Sequence, residues 1–167
     1  YVTGTLGDAG LGLHIAQKKH VLDDLTHQSF LLNRLNYPTP RLLVGTSLRR
    51  IASSCIDISD GLVSDIKHIL KASQCGATIH VDKLPMSRAL KESVAYSQAI
   101  DYDVSAGDDY ELLFTVNEEQ KGYLETTLAN ANVHATYIGH LTGNVGKLEL
   151  RLADKPYEYH AKGYEHF

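Results

Sequence analysis

Ile51-Ala52-Ser53-Ser54-Cys55-Ile56-Asp57-Ile58-Ser59-Asp60-Gly61-Leu62 carries the chain from an apolar run into a helical one. Residues 51–56 read as a short buried strand, after which Leu62, Val63, Ile66, Ile69 and Leu70 recur at helical spacing. Two carboxylates and a hydroxyl therefore sit on a strand-to-helix turn. Free N–H groups at a helix start favour anions. Carboxylate oxygens are the hard ligands Mg²⁺ prefers, usually one or two of them with a substrate's phosphates. Asp57 and Asp60 are thus candidate metal ligands. The alternative is that Asp60, or Ser59, is merely the N-cap of the helix.

Working outward, residues 2–6 read as a strand ending in the Gly-rich turn Gly7-Asp8-Ala9-Gly10, followed by a helix with Leu11, Leu13, Ile15 and Ala16. A second helix, about 24–35, is expected to present Leu25, Leu32 and Leu35 on one face with Leu31 beside it. Asn36-Tyr37-Pro38-Thr39-Pro40 breaks it, since each Pro restrains itself and the residue before it. Residues 41–50 are expected to be helical and 51–58 extended. Beyond the helix of 61–73, Gly76 fits a C-cap, and alternation of Ala77, Ile79 and Val81 makes 77–82 a half-buried strand. Ser87 caps a helix running to about residue 95. Residues 111–116 form a strand, Asn117 opens another helix, and 133–141 with 146–152 are expected to pair as a hairpin. Helices and strands without strict alternation point to an α+β fold, a mixed β-sheet covered by helices.

The chain's 167 residues suit one domain with a real core. It opens Tyr1-Val2-Thr3-Gly4 without an initiator Met and reads as a piece of a longer protein. A net charge of -4 gives no basic footprint for nucleic acid. No apolar run approaches the roughly 18 residues a membrane span needs, and no signal-peptide pattern opens the chain. Cys55 and Cys75 are expected to stay reduced. A cytoplasmic location is the expectation.

Gly107-Asp108-Asp109-Tyr110-Glu111 is a second acidic turn, ahead of the apolar Leu112-Leu113-Phe114. Acids crowded this closely repel unless a cation, a donor-rich ligand or water relieves them; a solvated loop is the plain alternative. The segment Thr3-Gly4-Thr5-Leu6-Gly7-Asp8 reads as a strand-to-helix turn with Asp8 as N-cap, or as backbone open to a ligand. There is no P-loop signature. Counted from Asp57 as an EF-hand, the sixth position is Leu62 and the twelfth His68, which fails. Histidines at helical zinc spacing and a G-x-S-x-G nucleophile turn are absent. Composition and spacing thus give an α+β domain with two acidic loops able to share a cation.

Five stretches in order add a resemblance: Val2-Thr3-Gly4-Thr5-Leu6-Gly7-Asp8-Ala9, Arg34-Leu35-Asn36-Tyr37-Pro38-Thr39-Pro40-Arg41, Ile56-Asp57-Ile58-Ser59-Asp60-Gly61-Leu62, Ala106-Gly107-Asp108-Asp109-Tyr110-Glu111-Leu112-Leu113-Phe114 and Lys162-Gly163-Tyr164-Glu165-His166-Phe167. Together they resemble the C-terminal half of the thiamine-monophosphate kinases, in the superfamily typified by aminoimidazole ribonucleotide synthetase. The resemblance implies that residues 1–167 are the single C-terminal domain of a two-domain, homodimeric enzyme whose N-terminal ATP- and metal-binding domain is absent here. It implies phosphorylation of thiamine monophosphate to thiamine diphosphate, with ATP as co-substrate and Mg²⁺ as cofactor. By position Asp57 and Asp60 match the metal ligands, Ser59 an ATP contact, and Asp108 and Tyr164 contacts to the thiamine substrate. No catalytic acid or base is identified. The family usually has Gly-Glu-Asp-Tyr where this chain has Gly107-Asp108-Asp109-Tyr110, so the side chain at 108 is one methylene shorter. Another ATP-dependent enzyme of the superfamily, or a non-catalytic binding module that keeps the fold, are the alternatives.

Overall fold

The computed structural model of the chain describes residues 1–159. The N-terminal third runs β1 (Val2–Thr3), α1 (Asp8–Ala16), α2 (Leu25–Asn36), α3 (Leu42–Ser47) and β2 (Ala52–Asp57). The middle continues with α4 (Leu62–Ser73), β3 (Gly76–His80), α5 (Arg88–Ser93), α6 (Tyr96–Ser105) and β4 (Leu112–Val116). Then come α7 (Lys121–Asn130), β5 (Ala135–Thr136), β6 (Gly139–Thr142), β7 (Leu148–Leu152) and β8 (Lys155–Pro156). The α+β class is as expected from the pattern, but the sheet is divided in two. One is antiparallel, in the order β2-β4-β1-β5; the other is mixed, in the order β6-β3-β7-β8.

The stripe on α4 does what its spacing requires. Leu62, Val63, Ile66, Ile69 and Leu70 are all buried, in one cluster with Val2, Ile58, Ile79, Ile100 and Leu113 from both sheets and α6. Each such side chain removed from water contributes about 1.5–3 kcal/mol. A smaller cluster joins Val44, Leu48 and Ile51 to Phe114, Leu124 and Leu128, seating α3 and α7 against β4.

Several expectations give way to tertiary demands. The 133–141/146–152 hairpin does not form: β3 lies between β6 and β7, antiparallel to the first and parallel to the second. Residues 76–79 are buried on both faces, which makes β3 a central strand needing a neighbour on each edge. The stretch 133–141 also serves both sheets, β5 pairing with β1 and β6 with β3, with buried Ile138 at the crossing. The second helix buries Leu31; Leu25 is 73% exposed, because the packed stripe runs through positions 27, 31 and 34 against α1 and α5. Gln74, left-handed at φ 51°, takes the C-cap of α4, and Gly76 instead opens β3. The first strand stops at Thr3. Gly7, rather than Asp8, is the N-cap of α1. The run expected as a buried strand is the edge strand β2, with Ser53, Cys55 and Asp57 exposed and Ala52, Ser54 and Ile56 half-buried. Both cysteines are free thiols. Helix α6 has no apolar stripe to announce it, since one of its buried positions is Asp103. No helix among the described residues is long and apolar enough to cross a membrane.

Candidate functional site

Asp57 is the last residue of β2, paired with Leu112 of β4. The next residue, Ile58, is fully buried and donates its N–H to the Glu111 carbonyl at 2.8 Å, so the chain leaves the sheet at a fixed point. The turn that follows is organised from inside the helix. Asp65, in the first turn of α4 and 2% exposed, accepts the N–H groups of both Ser59 (3.0 Å) and Asp60 (3.1 Å) on one oxygen. The N-cap itself is Gly61, which brings no side-chain hydrogen bond. Neither Ser59 nor Asp60 occupies the cap, so the capping alternative for them does not hold.

The acidic turn 107–111 is laced onto this one. Asp108 donates its N–H to the Ser59 carbonyl at 3.0 Å, and Tyr110 donates to Ile58 at 2.9 Å. A side chain at Gly107 would overlap the Ser59 carbonyl, so glycine is what lets the turns touch. Asp108 (φ 66°) and Tyr110 (φ 50°) are both left-handed, a conformation costing non-glycine residues roughly 1–2 kcal/mol each. Strain of this kind persists where surrounding contacts impose it, and it clusters at functional sites.

Two side chains of the acidic turn meet. The Tyr110 hydroxyl donates to Asp108 Oδ1 at 3.4 Å. Its pKa is pushed up, by Asp108 first, then by partial burial, with Asp57 and Asp60 adding to it. Asp57, Asp60 and Asp108, separated by up to 51 positions in sequence, therefore act on one phenol. Tyr110 carried no role in the sequence reading; its signal was only that it lay inside the acidic turn. Tyr164 lies outside the described residues.

The other two acids of the turn point inward. Asp109, 2% exposed, accepts the N–H groups of Gly7 (2.7 Å) and Ala9 (3.3 Å) at the start of α1. Burial raises its pKa to about 7 in spite of those bonds. Glu111, fully buried, accepts from the Thr3 hydroxyl (2.6 Å), Arg34 Nη2 (3.1 Å), Arg41 Nε (2.7 Å) and Arg41 Nη2. The solvated-loop alternative thus fails for half of the turn. The same anchoring explains Asp8: it is buried at the first position of α1, where it accepts the hydroxyls of Thr5 (2.6 Å) and Ser87 (2.5 Å).

Asp103 of α6 completes a buried acidic group. Among the described residues neither of its carboxyl oxygens has a hydrogen-bond partner. Burial, then the neighbouring Asp109 and Asp8, hold its pKa well above the usual range, with Lys91 acting weakly the other way. A carboxyl whose folded pKa lies above its unfolded value of about 3.9 favours the fold most at low pH. That contribution is complete below the unfolded value and is lost as pH rises through the folded one, about 7 for Asp109. Asp103→Asn removes an acid that the folded state can scarcely ionise. It is expected to raise stability by about 1 kcal/mol or more at pH 8 and by much less at pH 5. Thermal unfolding at the two pH values checks this, and an equal shift at both would contradict it.

The donor set suits a hard cation. Asp57 and Asp60 offer two carboxylates on one turn, beside the N-terminus of α4. Among the described residues no group of three or more His, Cys, Asp or Glu side chains is placed to hold a metal ion by itself. Mg²⁺ is commonly held by one or two carboxylates, with substrate phosphates and water filling the remaining positions.

Residues 1–151 match the family described as AIR synthase related protein, C-terminal domain. The chain is 43% identical, over its whole length, to the thiamine-monophosphate kinase of Salmonella typhimurium strain LT2, of which it covers 51%. Its fold superposes with a TM-score of 0.82 on the crystal structure of the thiamine-monophosphate kinase from Stenotrophomonas maltophilia, at 34% identity, covering 93% of this chain and 50% of that one. The structure described as AaThiL complexed with AMPPCP and TMP gives a TM-score of 0.77 at 31% identity, covering 99% of this chain and 50% of that one. The chain thus spans about half the length of the relatives it matches. Both acidic turns, and the buried acids that anchor them, fall inside the matched residues, and the chain belongs to the family of AIR synthase related protein C-terminal domains.

Proposed function

We propose that the chain is the C-terminal half of an ATP-dependent kinase that phosphorylates thiamine monophosphate to thiamine diphosphate, in a two-domain, homodimeric, cytoplasmic enzyme. The observation that supports this reading most is the lacing of the two acidic turns, in which the Asp108 and Tyr110 N–H groups are donated to the Ser59 and Ile58 carbonyls between Asp57 and Asp60. The identity to thiamine-monophosphate kinases across the whole chain supports it. So does a similar fold solved with AMPPCP and TMP.

In this reading Asp57 and Asp60 hold Mg²⁺, Ser59 donates its hydroxyl to ATP, and Asp108 and Tyr164 contact the thiamine moiety. A divalent cation there supplies neutralisation of charge between phosphates. Transfer of a phosphoryl group onto a phosphate asks little covalent chemistry of the protein, so positioning and charge neutralisation supply most of the rate. That accords with a site that offers ligands and donors but no identified acid or base. Asp108 accepts a hydrogen bond from an N–H of the pyrimidine amine, while the buried Asp65, Asp109 and Glu111 keep the two turns in place.

The whole protein, given ATP, Mg²⁺ and thiamine monophosphate, is expected to form thiamine diphosphate; failure to do so would overturn the reading. The 167-residue chain assayed alone is expected to show no turnover, because the remaining nucleotide and metal contacts lie in the other half of the relatives' length. Turnover by the purified chain would contradict that division of the site.

A further inference from the structure

The Asp108 carboxylate belongs to a turn whose backbone is tied, through the Asp108 and Tyr110 N–H groups, to the Ser59 and Ile58 carbonyls beside Asp57 and Asp60. Left to itself, a short acid in that company swings toward solvent or toward whatever cation is nearest. Among the described residues it accepts one hydrogen bond, from the Tyr110 hydroxyl. The tyrosine is itself fixed. Its N–H is spent on the Ile58 carbonyl, and its backbone is held at φ 50° although its ring is 39% exposed. Nothing about burial demands an aromatic there.

We propose that Tyr110 is a positioning residue for thiamine monophosphate: its hydroxyl, donating to Asp108 Oδ1, holds that carboxylate in one orientation, ready to accept an N–H of the substrate. The inference rests on the reading of Asp108 as a substrate contact and gives that contact its geometry. A phenol suits the task, since it keeps its proton at neutral pH and can donate it. A side chain at 108 one methylene shorter than glutamate makes its direction matter more. The recognised chemistry is a neutral N–H donor on a flat heterocycle that also bears a cationic ring. The Tyr110 hydroxyl fixes the direction in which the Asp108 carboxylate meets the amine.

Three variants of the whole protein test this: Tyr110→Phe, Asp108→Gly and the double substitution. Phenylalanine keeps the ring and removes the hydroxyl; glycine accepts the left-handed backbone at 108 and removes the carboxylate. Tyr110→Phe is expected to raise the KM for thiamine monophosphate roughly fivefold, the worth of one hydrogen bond, with the KM for ATP and the Tm unchanged. Asp108→Gly is expected to raise the same KM further. In its background the loss of the hydroxyl should add nothing, because the two act as one unit. An unchanged KM in Tyr110→Phe beside a raised KM in Asp108→Gly would overturn the positioning role and leave the reading of Asp108 standing. An unchanged KM in Asp108→Gly would overturn the substrate role of Asp108 and the proposal with it. Equal rises for both substrates with a lowered Tm would show that Tyr110 is a packing residue, and additive effects in the double variant would show that it acts apart from Asp108.

Discussion

Glu111→Gln is expected to lower stability by on the order of 3 kcal/mol, read as a fall in Tm of about 6–12 °C for a chain of this size. Glu111 has no exposure, and four donors from three residues end on its two oxygens. Its partners come from separate parts of the chain: Thr3 on β1, Arg34 on α2, and Arg41 at the start of α3. Removing one side of a buried ion pair leaves the other charges uncompensated, which costs about 3–5 kcal/mol. The arginines keep some solvent, Arg34 14% and Arg41 28% of their side chains, which places the expectation at the low end. Glutamine keeps the shape but turns donor hydrogens toward donors. Gly4→Ala should damage the same cluster from the other side, since a methyl there would overlap the Glu111 carboxylate and Gly4 is left-handed at φ 57°. A Tm within a degree or two of wild type in Glu111→Gln would show that this cluster does not hold β1, α2 and α3 together.

Asp57→Asn and Asp60→Asn carry the other large expectation, and it falls on activity instead of stability. Each removes a carboxylate charge at nearly constant shape, and a neutral amide is a poorer ligand for a hard cation. Substitutions one shell further from a metal commonly cost 10- to 100-fold, so loss of a ligand should reduce kcat/KM for ATP by roughly 100-fold or more. Asparagine keeps the shape of either side chain. Asp57 is exposed on an edge strand, and the cap of α4 is Gly61 with Asp65 behind it. Asparagine at either position should therefore leave the Tm unchanged. Parallel kinetics and melting curves separate the two effects; loss of both together would mean that the turn is structural.

Much of this was legible in the residues. The stripe on α4, the Ser87 cap of α5 and the strand at 112–116 follow from local periodicity and capping chemistry, and the structure has them. The two acidic turns were visible from composition and spacing as candidates to share a cation, and the roles of their residues came from the family resemblance. What local pattern cannot carry is direction. In Gly107-Asp108-Asp109-Tyr110-Glu111 three acids look alike, yet one faces outward and two are buried, because Arg34, Arg41 and the start of α1 come from far along the chain to meet them. Helix α6 escaped notice for a related reason: a buried aspartate breaks an apolar pattern. The false hairpin arose because β3 inserts between strands adjacent in sequence, a matter of tertiary order that turn residues do not encode.

In the proposed reading the turn carrying Asp57 and Asp60 holds the metal–nucleotide end of the site, on a backbone held by Asp65 and by the turn 107–111. Calorimetric titration of the whole protein with a non-hydrolysable ATP analogue, with and without Mg²⁺, tests it most directly. The account predicts that Asp60→Asn weakens binding of the Mg²⁺ complex by roughly tenfold or more and hardly changes binding of the metal-free analogue. Wild-type affinity for the Mg²⁺ complex in Asp60→Asn would contradict it.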